Sequence, residues 1–272
     1  MRPARTATLL LVVLVGVPVA AIGWGTLDEI RYKIKGSDGN LWAPYLGRGQ
    51  MVRGQEQPGT ISFTFDDGPD HRTTPVLLDQ LDRYGVKATF FVNGHRFHRR
   101  SAGGVENQAV LREVHRRGHF IGNHTFSHKD VTELDEQGWR KEVLQVEQLV
   151  RAVTGRRPWL FRPPFGRTDT ETSSRLVAEG YSIVMWNLDP EDWRASTPAQ
   201  LLERTVAVID ENPKGGVLLY HDTNRNTVEA FPLILEWLQE RNQALRAQGQ
   251  ATLEVVGIEH YVRKASTNAG SE

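Results

Sequence analysis

The sequence has no cysteine, so neither a disulfide framework nor a thiolate metal site is available, and stability must come from an ordinary core. It has no excess of charge: 33 basic residues stand against 33 acidic ones, a formal net charge of zero. No long block of like charge occurs beyond short arginine clusters such as residues 96–100. That balance gives no support to nucleic acid as a partner. No aromatic repeat is present, so recognition of any ligand is expected within one groove.

What is there begins with Met1-Arg2-Pro3-Ala4-Arg5, two positive charges, followed by the uncharged and almost wholly apolar residues 6–25. This pattern fits an export signal, with Val19 and Ala21 as the small residues before a cut after Ala21, or an uncleaved membrane anchor. The stretch is about long enough to span a membrane, and Pro18 interrupts a continuous helix. Either way the bulk of the chain is expected to be extracytoplasmic, secreted or anchored. Residues 26–58 are polar and glycine-containing and read as a linker or a strap onto the domain. Residues 59–258 suit one α/β domain, and 259–272 form a C-terminal tail.

Within the domain apolar runs alternate with helical patterns. Strands are expected at 61–65, 88–92, 120–121, 159–162, 182–186, 216–220 and 253–256, and helices at 74–84, 108–117, 138–154, 171–179, 198–209 and 231–248. Seven strands joined by six helices predict a parallel sheet, in the form of an incomplete or distorted barrel. Phe63, Phe90, Phe91, Ile183, Val184 and Trp186 are expected in the core.

The most informative segment is Ile61-Ser62-Phe63-Thr64-Phe65-Asp66-Asp67-Gly68-Pro69, a buried strand stopped just after two carboxylates. One acid of such a pair can hold a metal while its neighbour takes a proton from water. Asn123-His124-Thr125-Phe126-Ser127-His128 adds two histidines four apart, which face the same way on a helical turn. Two imidazoles and one carboxylate make a three-ligand set of the catalytic kind. His95, His98, His115, His119 and His260 read as surface or packing residues, and His71 as a solvent-exposed loop histidine, with substrate contact as the alternative.

These segments resemble the polysaccharide deacetylases of the NodB-homology type, carbohydrate esterase family 4. Thr64-Phe65-Asp66-Asp67 resembles the first family motif and His124-Thr125-Phe126-Ser127-His128 the second. Arg162-Pro163-Pro164-Phe165-Gly166, Asp189-Pro190-Glu191-Asp192-Trp193 and Leu218-Leu219-Tyr220-His221-Asp222 are similar to the third, fourth and fifth, and the similarity spans residues 60–256. The resemblance implies a distorted (β/α)7 barrel and hydrolysis of an acetamide on an N-acetylated glycan, such as peptidoglycan, a chitin-like chain or exopolysaccharide. It implies Asp66 as general base, with Asp67, His124 and His128 holding a divalent metal, zinc from the nitrogen-rich set or Co, Ni or Mn on the same ligands. His221 would protonate the departing amine. Arg162 would orient Asp66 and lower its pKa, and Asp192, or alternatively Asp189, would bond His221. Trp193 and Leu218 would wall the acetyl pocket. Phe165 stands where the family usually has tyrosine, whose backbone N–H helps polarise the carbonyl, so that contribution survives and only the hydroxyl is lost. The alternatives are a same-fold metal-dependent amidase for a small non-glycan substrate and a non-catalytic glycan-binding protein.

Overall fold

The computed structural model describes residues 51–55 and 57–262, so the apolar segment at 6–25, most of 26–58 and the end of the tail lie outside the described residues. No helix among the described residues is long and apolar enough to cross a membrane. The chain runs β1 (Met51–Val52), β2 (Thr60–Gly68), α1 (Thr74–Arg83), β3 (Thr89–Val92), α2 (Gly94–Phe97), α3 (Gly104–Arg116) and β4 (Phe120–Asn123). It continues through α4 (Glu136–Trp139), a π segment (Arg140–Leu144), α5 (Gln145–Thr154), β5 (Leu160–Phe161), α6 (Thr170–Ala178) and β6 (Ser182–Val184). It ends with α7 (Pro198–Glu211), β7 (Gly215–His221), α8 (Arg225–Ala247) and β8 (Glu254–Val255).

All strand pairs are parallel, in the order β1-β6-β5-β4-β3-β2-β7, with β8 joined to the start of β2. The sheet curls far enough for residues after β6 to meet β7: Leu188 bridges Leu218. Beside it Asn187 acts as a clasp. Its Oδ1 accepts from the Val217 amide at 2.9 Å and its Nδ2 donates to the Gly215 carbonyl at 3.1 Å. Only glycine fits around this clasp, because a Cβ at Gly54 or Gly216 would lie 2.0 Å from Asn187 Oδ1.

The strand alternation sorts two cores. Phe63 and Phe65 of β2 face the helices and pack with Phe90, Tyr220 and Phe231, ring centroids 5.1 to 6.3 Å apart. On the inner side Val52, Phe91, Leu160, Val184 and Val217 form a separate cluster inside the curl.

All seven expected strands are present, and β1 is an eighth. It lies in the stretch read as linker or strap and pairs Met51 with Ile183 and Val52 with Val184, too short a run to carry a strand pattern of its own. Tyr261, expected in the tail, is buried, its hydroxyl accepting from Thr60 Oγ1 at 2.9 Å. Helix α8 starts six residues before the expected 231. Pro232 is interior. The Val228 carbonyl that a residue-232 amide would have engaged accepts from Gln80 Nε2 of α1 at 3.1 Å, which relieves the main penalty of an internal proline.

Candidate active site

Asp66 and Asp67 end β2, and Asp66 is in register with Phe91 of β3 and His221 of β7. Asp66 continues the inward-facing set Ser62, Thr64, Asp66 and is 3% exposed. The chain then breaks the alternation: Asp67 takes a left-handed conformation (φ 71°), so both acids reach the same cavity. That cavity, about 680 Å³, is lined by Asp66, Asp67, His124, His128, Phe165 and His221 among others.

The histidine pair is brought together by a loop rather than by the helical turn expected from its spacing. Thr125 and His128 both have positive φ, 66° and 59°. Side chains hold this shape: Asn123 Oδ1 accepts from the Thr125 amide at 2.9 Å, and Asn93 Nδ2 donates to the His124 carbonyl at 2.6 Å. Buried Glu142, on the π segment, accepts from both the Ser127 amide and its hydroxyl at 2.7 Å. Among the described residues the non-glycine positions with positive φ are Asp67, Thr125, His128, Phe165 and Glu191, and every one lies in a strand-end motif of this mouth. Backbone strain is concentrated where side chains must converge.

The residues fit a divalent cation. One ligand atom each from Asp67, His124 and His128 lies within 4.8 Å of the others, with both histidine Nε2 atoms 3.7 Å from Asp67 Oδ1. Asp67 Oδ1 is buried without a hydrogen-bond partner, an acceptor that asks for a cation. His124 Nδ1 lies 2.7 Å from the Arg162 carbonyl, which fixes the proton there and leaves Nε2 as a lone-pair donor. Burial pushes the His124 pKa down to about 3, so the ring is neutral as a ligand must be.

Asp66 is held by Arg162, which is fully buried. Arg162 Nη1 donates to Asp66 Oδ1 and to Thr64 Oγ1, each at 2.8 Å, and Nε donates to the Val184 carbonyl at 2.9 Å. Its guanidinium lies 4.2 Å from the Phe91 ring centroid. Arg162 bonds the Asp66 carboxylate, and its charge and hydrogen bond lower that carboxyl's pKa, but the net shift is upward. Complete burial outweighs the guanidinium and pushes the carboxyl above its usual value, which makes it a stronger base once ionised.

On the other side His221 Nδ1 lies 2.7 Å from Asp192 Oδ1, while Asp192 Oδ2 accepts from the His221 amide and from Thr227 Oγ1. Burial alone would lower the histidine. The Asp192 hydrogen bond and charge, with Asp66 and Asp67, raise it to about 9. Asp189 is engaged elsewhere. Its Oδ1 accepts from the Glu191 amide at 2.8 Å, and it lines the cavity with its carboxyl pushed up by burial. The choice the sequence left open between these two aspartates thus falls on Asp192.

Trp193 lines the mouth and is 61% exposed, with Arg194 against its ring. Leu218 does not line it. It is fully buried in the outer core with Phe63 and Tyr220, and Leu219 takes the cavity position instead. Alternation explains the correction: Val217, Leu219 and His221 share the inner face of β7, so a pocket containing His221 must contain Leu219. Trp186, read as core, also lines the cavity, as do Thr223, Asn224 and Asn226 from the segment entering α8. Phe165 lies on the rim, φ 59°, its ring 4.5 Å from that of His128.

Residues 53–184 match the family model described as polysaccharide deacetylase. A chitin deacetylase of Colletotrichum lindemuthianum is 33% identical over 178 residues, 63% of this chain and 70% of the relative. The chain belongs to the polysaccharide deacetylase family. Another relative in this family of hydrolases is a peptidoglycan-N-acetylglucosamine deacetylase of Bacillus cereus, 28% identical over 216 residues, 77% of this chain and 75% of the relative. Of the Bacillus subtilis and Listeria monocytogenes peptidoglycan deacetylases the chain spans little more than a third, 37% and 36%. Among solved structures, the Bc1960 peptidoglycan N-acetylglucosamine deacetylase superposes with a TM-score of 0.64 at 25% identity, covering 78% of this chain and 91% of that one. The parallel half-barrel is thus the family's fold.

Proposed function

We propose that this polysaccharide deacetylase hydrolyses the acetamide of an N-acetylated, extracytoplasmic glycan of the cell-wall kind, releasing acetate and a free amine. The observation that carries the reading is the pair that shares one cavity: buried Asp66 clamped by Arg162, and His221 clamped by Asp192, with Asp67, His124 and His128 lining the same cavity. The names of relatives that act on peptidoglycan and chitin support the substrate class, and the apolar residues 6–25 after two arginines support export.

Asp67, His124 and His128 would hold the divalent ion. Such an ion, zinc or another first-row metal, supplies a Lewis acid for the carbonyl oxygen and acidifies a water molecule. Asp66 takes the proton of the attacking water at its carboxylate, and Arg162 keeps that carboxylate aimed through one of its two oxygens. His221, cationic up to about pH 9, donates from Nε2 to the departing nitrogen while Nδ1 stays on Asp192. As the C–N bond breaks, the acetyl carbon keeps the water oxygen and the amine leaves with the His221 proton. Trp186, Trp193 and Leu219 provide apolar surface for the acetyl methyl and keep bulk water from the reacting carbon.

Acetate release from purified peptidoglycan, chitin oligomers and N-acetylated exopolysaccharide tests the reading, with chelated and metal-restored protein side by side. Release from at least one glycan, abolished by chelation and restored by a divalent ion, is the expected result. No release from any of them, with turnover of small acetamides instead, overturns it.

A further inference from the structure

The active-site cavity does not end at its own wall. Thr223 lines it and also lines a second groove of about 500 Å³, whose other sides are Arg72, Thr73 and Val76 from the start of α1 and Arg225, Val228 and Glu229 from the start of α8. We propose that this groove is an anionic subsite of the same cleft, in which Arg72 and Arg225 take a carboxylate carried by the sugar next to the one being deacetylated. This rests on the glycan reading above and narrows it to acidic glycans, in which a carboxyl-bearing sugar neighbours the N-acetylated one, as against neutral chitin-like chains.

An exposed arginine ordinarily loses side-chain entropy when it binds. Here each guanidinium, though exposed, is already paired with an acid at the groove. Arg72 donates Nε to Asp70 Oδ1 at 3.0 Å and Nη2 to Asp70 Oδ2 at 2.7 Å. Asp70 itself is 4% exposed and accepts the Arg72 amide as well, so it is a fixed post. Arg225 donates Nε to Glu229 Oε1 at 2.6 Å, one helical turn along α8. Each pairing leaves guanidinium N–H groups pointing away from its carboxylate, a fork suited to a second carboxylate. The acids are already engaged: Glu229 by Arg225, and Asp70 by Arg72 and also by Arg96 at 3.8 Å. In the groove each arginine is matched by one acid, and what it offers a ligand is the guanidinium N–H groups that this acid does not take. Arg72 and Arg225 flank the route out of the cavity past Thr223, so a neighbouring sugar on that side brings its substituent to them.

The test uses the metal-loaded protein and soluble peptidoglycan glycan strands of one length, freed of their stem peptides, in two forms, with the sugar carboxylates free and with them chemically amidated. Wild type should prefer the free form in kcat/KM, chiefly through KM, and lose that preference as salt is raised from 50 to 500 mM. Arg72→Gln and Arg225→Gln should each reduce the ratio of the two kcat/KM values by roughly fivefold, and the double variant by about tenfold or more. A wild-type ratio near one, or a ratio that both substitutions leave untouched, overturns the subsite. Because the readout is a ratio of two substrates on one preparation, partial loss of folded protein cancels. Activity on neither form would instead count against the glycan reading.

Discussion

Arg162→Leu offers the most direct measure of how the site is held. The guanidinium makes hydrogen bonds to Val184, Thr64 and Asp66 and lies over Phe91. Leucine fills part of its volume but leaves the Asp66 carboxylate, 3% exposed, without a cation. Stranding one partner of a buried pair costs about 3–5 kcal/mol. For a domain of this size each kcal/mol moves Tm by about 2–4 °C, so the variant should melt roughly 6–20 °C below wild type at pH 8. The cost must also depend on pH. Burial already holds the Asp66 pKa above its unfolded value, and losing Arg162 raises it further. A carboxyl raised in the native state destabilises as pH climbs from the unfolded value through the folded one, so the deficit should shrink at pH 5. Adding Asp66→Asn to the leucine variant removes the stranded charge and should recover most of the loss. Scanning calorimetry in chelator at pH 5, 6.5 and 8, on the four proteins of the cycle, gives the coupling. A leucine variant melting within about 2 °C of wild type at pH 8, or no recovery in the double variant, refutes the reasoning.

Three further outcomes are expected. His124→Ala and His128→Ala should lose divalent metal, measured by elemental analysis, together with activity, whereas Asp66→Asn should keep the metal and lose roughly a hundredfold in kcat; full metal in both alanine variants would remove the ligand assignment. Asp192→Asn should move the alkaline limb of the kcat profile below its position near pH 9, because burial then acts on His221 without the bond that raises it, while Asp189→Asn leaves that limb in place; the same His221–Asp192 pairing stabilises the fold fully below about pH 6.5 and fades as pH rises through about 9. Leu219→Ala should raise KM as well as lower Tm, whereas Leu218→Ala should lower Tm, costing about 2–5 kcal/mol, with little change in KM; kinetics and melting on both variants decide it.

Much of this was legible in the sequence because strand ends advertise themselves. Asp66, His124, Arg162, Asp189 and His221 each come at or just after the end of an apolar run, and a parallel sheet gathers such ends at one mouth, whereas Asp192 comes three residues further on. What escaped was set by local geometry that residue types do not encode. The histidine pair sits on a left-handed loop shaped by Asn93, Asn123 and Glu142, none of which carries a chemical signature at its own position. Motif resemblance carries no inside and outside and so points to Leu218, whereas counting by twos from His221 finds Leu219. Strand β1 was hidden by its length, two residues that gain meaning only when β6 lies alongside. Trp186 reads as core because the apolar run carries it to the end of the expected strand at 182–186, and it lines the mouth because the strand stops at Val184.

The register of β2 has a consequence for how the protein comes into being. Asp66 and His221 are direct Cα partners on adjacent strands, yet 155 residues of chain separate them, and β2 completes its other ladders only with β3 and with β8 near the end of the domain. Closing so long a loop costs entropy before any ladder bond repays it, and proteins dominated by such distant pairings fold slowly. During synthesis β2 waits, with a row of unpaired backbone groups and two apolar rings, until β7 emerges. The order of events is thereby fixed: clamps such as Asn123 to Thr125 are local and can form early, while base and acid come into register only in the last steps. A chain stopped before Gly215 should therefore be protease-sensitive along β2, and acid and base should appear together, as one cooperative event, when β7 docks.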